Sequence, residues 1–484
     1  MASTVTVWQD DPGEPATPGS TTVLTRPASL GTGPLPLTVT GKAPRPDASP
    51  GSIGMRYWTA VTAIHRARAL WLNAIADTPT WQDARRLQVD LAAGNEVNAY
   101  YDRGQLSFHV ATVKDHASPN KVVIATGESP DIVAHEFGHA VLDAIRPELW
   151  DATFAEVAAF HEAFGDVSAL LCALAVDEIE AEFADLSGSS VFQSSRVSRL
   201  GEQMGWGLRQ QRPDLPDRTC LRDAVNTFFY VKPETLPTTA PSTGLSSEPH
   251  NFARVFTAAF MRVLDEMLKA HTGTRTAATV RTVAEASASM LVAAVKQAPV
   301  VDAYYHAVAL AMVAEAARHQ KGKYQKAITT AFVRTGIITV PEATAAAARP
   351  AARRPSRRRG AAGFSIAASG APASLAVGPA RMDLTTFGIG AELHLDLGEA
   401  STSPRRCGAV ASTADDSGGS IDAVASAHFF VEDLFRRNRL DLASDVRAAG
   451  VPLQAPRSVT HRLDESTGTL RLKRVKVDCG FDVT

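Results

Sequence analysis

Five consecutive residues, His135-Glu136-Phe137-Gly138-His139, carry the sharpest chemical signal in the chain. On a helix, positions i and i+4 share a face, so both imidazoles can reach one metal ion at ~2.0–2.1 Å. Glu136 turns away from that line and stands beside a metal-bound water, where a carboxylate can take the proton. With 13 His in 484 residues, this spacing arises by chance about 0.02 times per chain. The bland alternative is two polar residues on an exposed helix. Ile132, Val133, Ala134, Phe137, Ala140 and Val141 weigh against it, because they surround the motif with apolar side chains.

A catalytic zinc needs a third protein ligand and one open position. The next apolar stretch offers Glu162 and Asp166, one turn apart, so that one ligates while the other orients a ligating imidazole. Glu156 and His161 compete for the same place; Glu156 lacks an acidic residue at i+4, which favours Glu162.

These residues need elements to hold them. Apolar spacing predicts helices over 57–76, 131–145 and 152–175, the second stopped by Pro147. Shorter β-like runs at 106–110 and 122–125 precede the histidines, and helices at 252–269, 278–296, 301–319 and 324–335 follow. Mixed strands and then a helical half predict an α+β architecture.

Around this core, residues 1–54 are rich in Pro, Gly, Thr and Ser and read as an extended arm. Residues 55–340 form the candidate domain, with an N-terminal lobe to about 150. Residues 341–362, rich in Ala, Pro and Arg, read as a solvated linker. The tail, 363–484, predicts a helix at 427–440 and a β pair around the turn 465–468. Its alternation slips at Arg474, and no chemistry is read there.

Composition narrows the function classes. Hydrophobic residues make up 45 % and charged residues 21 %, with a net charge of −2, so nothing in the total points to nucleic acid or to a membrane surface. Four cysteines without CxxC spacing argue against a cysteine–zinc module and a disulfide framework. The first residues lack a basic and an apolar signal region, and no window reaches the ~18 apolar residues of a membrane span. The chain is therefore expected to be cytoplasmic.

Together the motifs resemble the thermolysin-like metallopeptidases, a gluzincin family, over about residues 57–340. Asn98-Ala99-Tyr100-Tyr101 is similar to that family's substrate-binding edge strand, Leu221-Arg222 to its carbonyl-binding arginine, and His250 to its transition-state histidine. The resemblance implies a two-lobed zincin carrying an added small C-terminal α/β region. One catalytic Zn2+ on His135, His139 and Glu162 is implied, with Asp166 behind the ligands. Glu136 would serve as general base, His250 would stabilise the oxyanion, and Asn98, Ala99 and Arg222 would bind an internal stretch of a peptide or protein.

Departures accompany the resemblance. Asp131 matches a position that also serves structural Ca2+ in the family, but 172–176 is apolar where the completing acids would stand, so calcium is not expected. The family's oxyanion tyrosine has no counterpart; Trp150 stands near its place. The amine-binding Gly-x-Met-Glu-Asn segment of exopeptidase gluzincins is absent from the sequence. A gluzincin-fold protein that binds or scaffolds without turnover is the alternative from another class. The arm before residue 55 is the expected candidate for an inhibitory cover on the cleft.

Overall fold

The computed structural model of the chain describes residues 4–271, 274–348, 374–376, 378–401, 418–442, 458–465 and 469–479. Near the start, β1 (Thr4–Trp8) pairs antiparallel with a later strand after a small hairpin of β2 (Gly13–Glu14) and β3 (Thr17–Pro18). That later strand is β4 (Thr21–Thr25). Alternation along β1 turns Val5 and Val7 inward, where they pack on Trp58. Trp8 donates from its backbone to Thr59 Oγ1 at 3.1 Å and from its indole to Glu128 at 3.2 Å. The arm of residues 1–54 thus carries short strands, and its start packs on a helix. Their β-branched runs find a helix face to cover.

That face belongs to α1 (Ile53–Ala74), started by Ser52, whose hydroxyl accepts from the Met55 amide. Trp58, Val61, Ile64, Ala67 and Trp71 recur at helical spacing on its buried side. Beside it β5 (Leu37–Val39), β6 (Leu87–Asp90), β7 (Ala99–Tyr101) and β8 (Gln105–Phe108) join one sheet in the order β7-β8-β6-β5. The hairpin of β9 (Val110–Lys114) and β10 (Lys121–Ala125) follows.

Helices then dominate. Ser129 caps α2 (Pro130–Ile145) by accepting from Ile132, and Pro130 sits in its first turn, where no amide is needed. The next helix, α3 (Ala155–Ala173), is buried on every side, which is why its sequence shows no polar face. After α4 (Asp177–Ala184) come β11 (Arg199–Leu200), α5 (Glu202–Arg209) and β12 (Arg222–Asp223). The remaining bundle is α6 (Pro249–Lys269), α7 (Ala277–Gln297), α8 (Tyr304–Arg318) and α9 (Gln325–Arg334). Among the described residues α7 is the one helix that is alone long and apolar enough to cross a bilayer, and most of it is buried inside the protein. The expected linker begins differently: α10 (Val340–Ala347) is a helix with a reciprocal Thr339–Glu342 cap. The rest of that expectation, 349–362, lies outside the described residues.

Beyond it, β13 (Ser374–Ala376) pairs with a strand at 399–401, and β14 (Ala380–Asp383) with β15 (Glu392–Leu395). The partner of β13 is β16 (Glu399–Ser401). Helix α11 (Gly418–Arg436) precedes β17 (Leu440–Leu442), β18 (His461–Asp464) and β19 (Leu470–Arg474). These complete a five-stranded sheet in the order β14-β15-β19-β18-β17. Of the turn expected at 465–468, residues 466–468 lie outside the described residues. The slip in alternation at Arg474 has a structural cause. There the chain leaves one sheet, and after two residues β20 (Val477–Asp478) adds to β7 at the edge of the first sheet. Among the described residues the fold is mixed α/β, with eleven helices and several small sheets.

Candidate metal centre

Helices α2 and α3 cross closely because both carry glycine at the contact. A Cβ on Gly138 would stand 2.8 Å from Ser168 Cβ, and one on Gly165 would stand 2.7 Å from two ring atoms of His135. Ser168 fixes the crossing: its hydroxyl donates to Ala134 O at 2.7 Å and accepts from the Trp71 indole at 3.0 Å. Neither glycine stands out by sequence alone, since a helical glycine signals a close approach only once its partner is known.

The crossing brings three side chains together. Glu162 Oε2 lies 3.3 Å from His135 Nε2 and 3.8 Å from His139 Nε2. All three residues are buried, and none of these three atoms makes a hydrogen bond. Burying unpaired polar atoms is costly, so a cluster of them facing one point fits an ion between them. Four ligands in a tetrahedron of zinc's radius stand about 3.4 Å apart, close to the spacing found here. His135, Glu136 and His139 also offer ligand atoms within 4.8 Å of one another.

The residues behind the cluster set its charge. Asp166 Oδ1 accepts from His135 Nδ1 at 3.1 Å, which fixes the ring's tautomer and aims Nε2 inward. Arg222 holds the same carboxylate, with Nη2 at 2.8 Å and Nε at 3.3 Å. Burial would raise the Asp166 pKa, but Arg222 and His135 outweigh it and keep the group well below the carboxylate range. Burial likewise opposes the proton on His135, yet Asp166 and Glu162 raise its pKa to about 9. His139 is held neutral by burial and by the neighbouring cation.

Glu136 is fully buried, and burial pushes its pKa up to about 8 against the pull of His135 and the Cys479 thiol beside it. His250, in the first turn of α6, places Nδ1 2.6 Å from Glu248 Oε1 and Nε2 3.2 Å from Glu162 Oε2. Those two carboxylates overcome burial and raise its pKa to about 10, so the ring is a cation with two N–H donors.

Of the rival third ligands, Glu156 is engaged elsewhere. Glu156 accepts from Tyr230 Oη at 2.5 Å and from the Tyr305 amide at 2.9 Å. His161 is buried with its ring centroid 5.9 Å from that of His139. Asp131, one turn before His135 on α2, faces Asp11 and accepts from the Gly201 amide at 3.2 Å. The Trp150 indole donates to Arg474 O at 3.2 Å.

Two expectations are corrected. The edge strand at Asn98 and Ala99 is not open: Ala99 O accepts from the Cys479 amide at 2.9 Å, and β20 pairs with Tyr100 and Tyr101. Nor is the tail without chemistry. It brings Asp478 O onto His250 Nε2, the Cys479 thiol to Glu136, and Arg474 into a small cavity with Glu162 and His250. Sequence reasoning missed these residues because only the sheet pairing carries them across the molecule.

No family model and no curated protein matches this sequence. Among solved structures, the chain is similar to the precursor of protealysin, a metalloproteinase from Serratia proteamaculans. Identity is 13 % and the TM-score 0.40, over 61 % of this chain and 81 % of that one. At that distance the functional reading rests on the site itself.

Proposed function

We propose that this chain is a zinc-dependent metallopeptidase that cuts internal peptide bonds. One observation carries the reading: Glu162 Oε2 stands 3.3 Å and 3.8 Å from two buried imidazole nitrogens of His135 and His139, with a further carboxylate, Glu136, beside them. A purely structural site has no use for that extra group.

His135, His139 and Glu162 would hold the ion, and Asp166 would keep His135 in its ligating tautomer. Bound zinc supplies a Lewis acid that acidifies water and polarises a carbonyl. Glu136 would take the proton as water attacks and return it to the departing amine; a base whose pKa burial lifts towards neutrality suits both steps. His250 would donate from Nε2 to the developing oxyanion, with Glu248 on Nδ1 keeping the ring protonated. Arg222, braced by Asp166, would steady a substrate carbonyl. Asn98 and Ala99, on the edge that β20 covers, would pair with an extended peptide by strand addition only once β20 has left it. The same reading makes residues 55–340 a two-lobed thermolysin-like unit without structural calcium.

A binding or scaffold protein is the second reading, and the covered edge at β7 is what favours it. Zinc content, measured beside cleavage of quenched peptides, separates the two. Glu136→Gln is expected to keep one zinc per chain and lose at least about 100-fold in rate. Stoichiometric zinc with no cleavage by any form of the chain would support the scaffold instead.

A further inference from the structure

Residues 477–479 lie in the proposed cleft in the way an extended substrate would. β20 runs antiparallel to β7, with Val477 opposite Tyr101 and Asp478 opposite Tyr100. The Cys479 amide donates to Ala99 O at 2.9 Å. The carbonyl oxygen of Asp478 accepts from His250 Nε2, the donor assigned above to the oxyanion. One peptide unit therefore has its carbonyl at the transition-state histidine and its N–H on the edge strand. Cys479 is fully buried and close enough to Glu136 for each group to shift the other's pKa.

The segment is anchored rather than laid loosely across the site. Asp478 receives Arg439 Nη1 at 3.1 Å and the Ser458 hydroxyl at 2.5 Å, and all of Val477, Asp478 and Cys479 are buried. Phe430, Leu434, His461 and Arg474 close over it, leaving a cavity of about 30 Å3 beside Glu162 and His250. That is room for little more than one water.

We infer that residues 477–479 are a built-in, substrate-like plug that keeps the site latent. The inference rests on the peptidase reading above, and it replaces the N-terminal arm as the cover on the cleft. Covalent attachment gives a two-residue strand a high effective concentration, so weak pairing suffices to fill the edge. Buried and anchored, the segment occupies the place on β7 that an external peptide would take.

The test uses the full-length chain. Val477→Asp places a charge at a buried β20 position outside the catalytic set. In metal-free protein, iodoacetamide labelling of Cys479, mapped by mass spectrometry, is expected to rise at least about tenfold over wild type. In zinc-loaded protein, cleavage of quenched peptides is expected to rise by a similar factor, about tenfold. A synthetic Arg-Val-Lys-Val-Asp-Cys peptide added to this variant is expected to suppress the gain. Wild-type protein forced to react with a bulky maleimide at Cys479 provides the same release without a substitution, and it too is expected to gain activity. Cys479 exposed by either route with no change in a Glu136-dependent rate would overturn the plug and leave the peptidase standing. Equal Cys479 reactivity in wild type and in the unfolded chain would overturn it as well. No cleavage by any form at one zinc per chain would bring down the peptidase reading, and the inhibitory role with it.

Discussion

His135 shows how much one side chain depends on its neighbours. Its Nδ1 is committed to Asp166 at 3.1 Å, and its Nε2 faces Glu162 at 3.3 Å. The two carboxylates that orient it also hold a proton on it, with a pKa of about 9 in the metal-free protein. Metal binding requires the neutral ring, so zinc and that proton compete. Below about pH 9 each unit of acidity should therefore weaken zinc binding about tenfold, and affinity should rise as pH rises. His139 adds no such dependence, because burial and the nearby cation already keep it neutral. Competition with a chromophoric chelator at pH 6, 7 and 8 reads the effect; an affinity flat across that range would rule out the His135 assignment.

At the scale of elements, the centre depends on how near α2 and α3 approach. Gly165 lies directly under the His135 ring. Gly165→Ala should push the ring off its line, cost about 1–3 kcal/mol of stability, and weaken zinc binding at least about tenfold. Denaturant unfolding and a zinc titration on the same preparation check both, and a variant with native zinc affinity would refute the close-packing argument. The long helices α1 to α3 and α6 to α9 were legible from their apolar residues, with ends within a few residues, whereas the short α4 and α5 were not expected and α11 starts at Gly418 rather than at 427. Strand partners were not legible. The alternation at 470–477 predicts a β strand, and its break at Arg474 marks where the chain changes sheets, which depends on partners that the local sequence does not name.

Over the whole molecule, both ends of the described chain pack onto the middle. Residues 4–25 cover α1, with Trp8 buried and hydrogen-bonded to Thr59 and Glu128. Trp8→Ala should accordingly cost about 3 kcal/mol in denaturant unfolding. A loss near zero would mean that residues 4–25 do not brace α1. At the other end, residues 458–465 and 469–479 tie a second sheet to the first, and Val477 and Asp478 line a cavity beside Glu162 and His250.

The sequence by itself determined the candidate chemistry: two imidazoles one turn apart, a carboxylate between them, and a Glu/Asp pair one helix later. Such a signal is local, because helix geometry alone puts i and i+4 on one face. It also held the mixed α/β character, which follows from the period of the apolar residues. Only the tertiary structure decided which carboxylate faces the imidazoles, since Glu156 and Glu162 differ in what the far helices offer them: Tyr230 and Tyr305 for one, the histidines for the other. It alone brought the Asp478 carbonyl to His250, more than two hundred residues away. Contacts of that span depend on sheet pairing and on the packing of the whole chain, and no window of sequence records either.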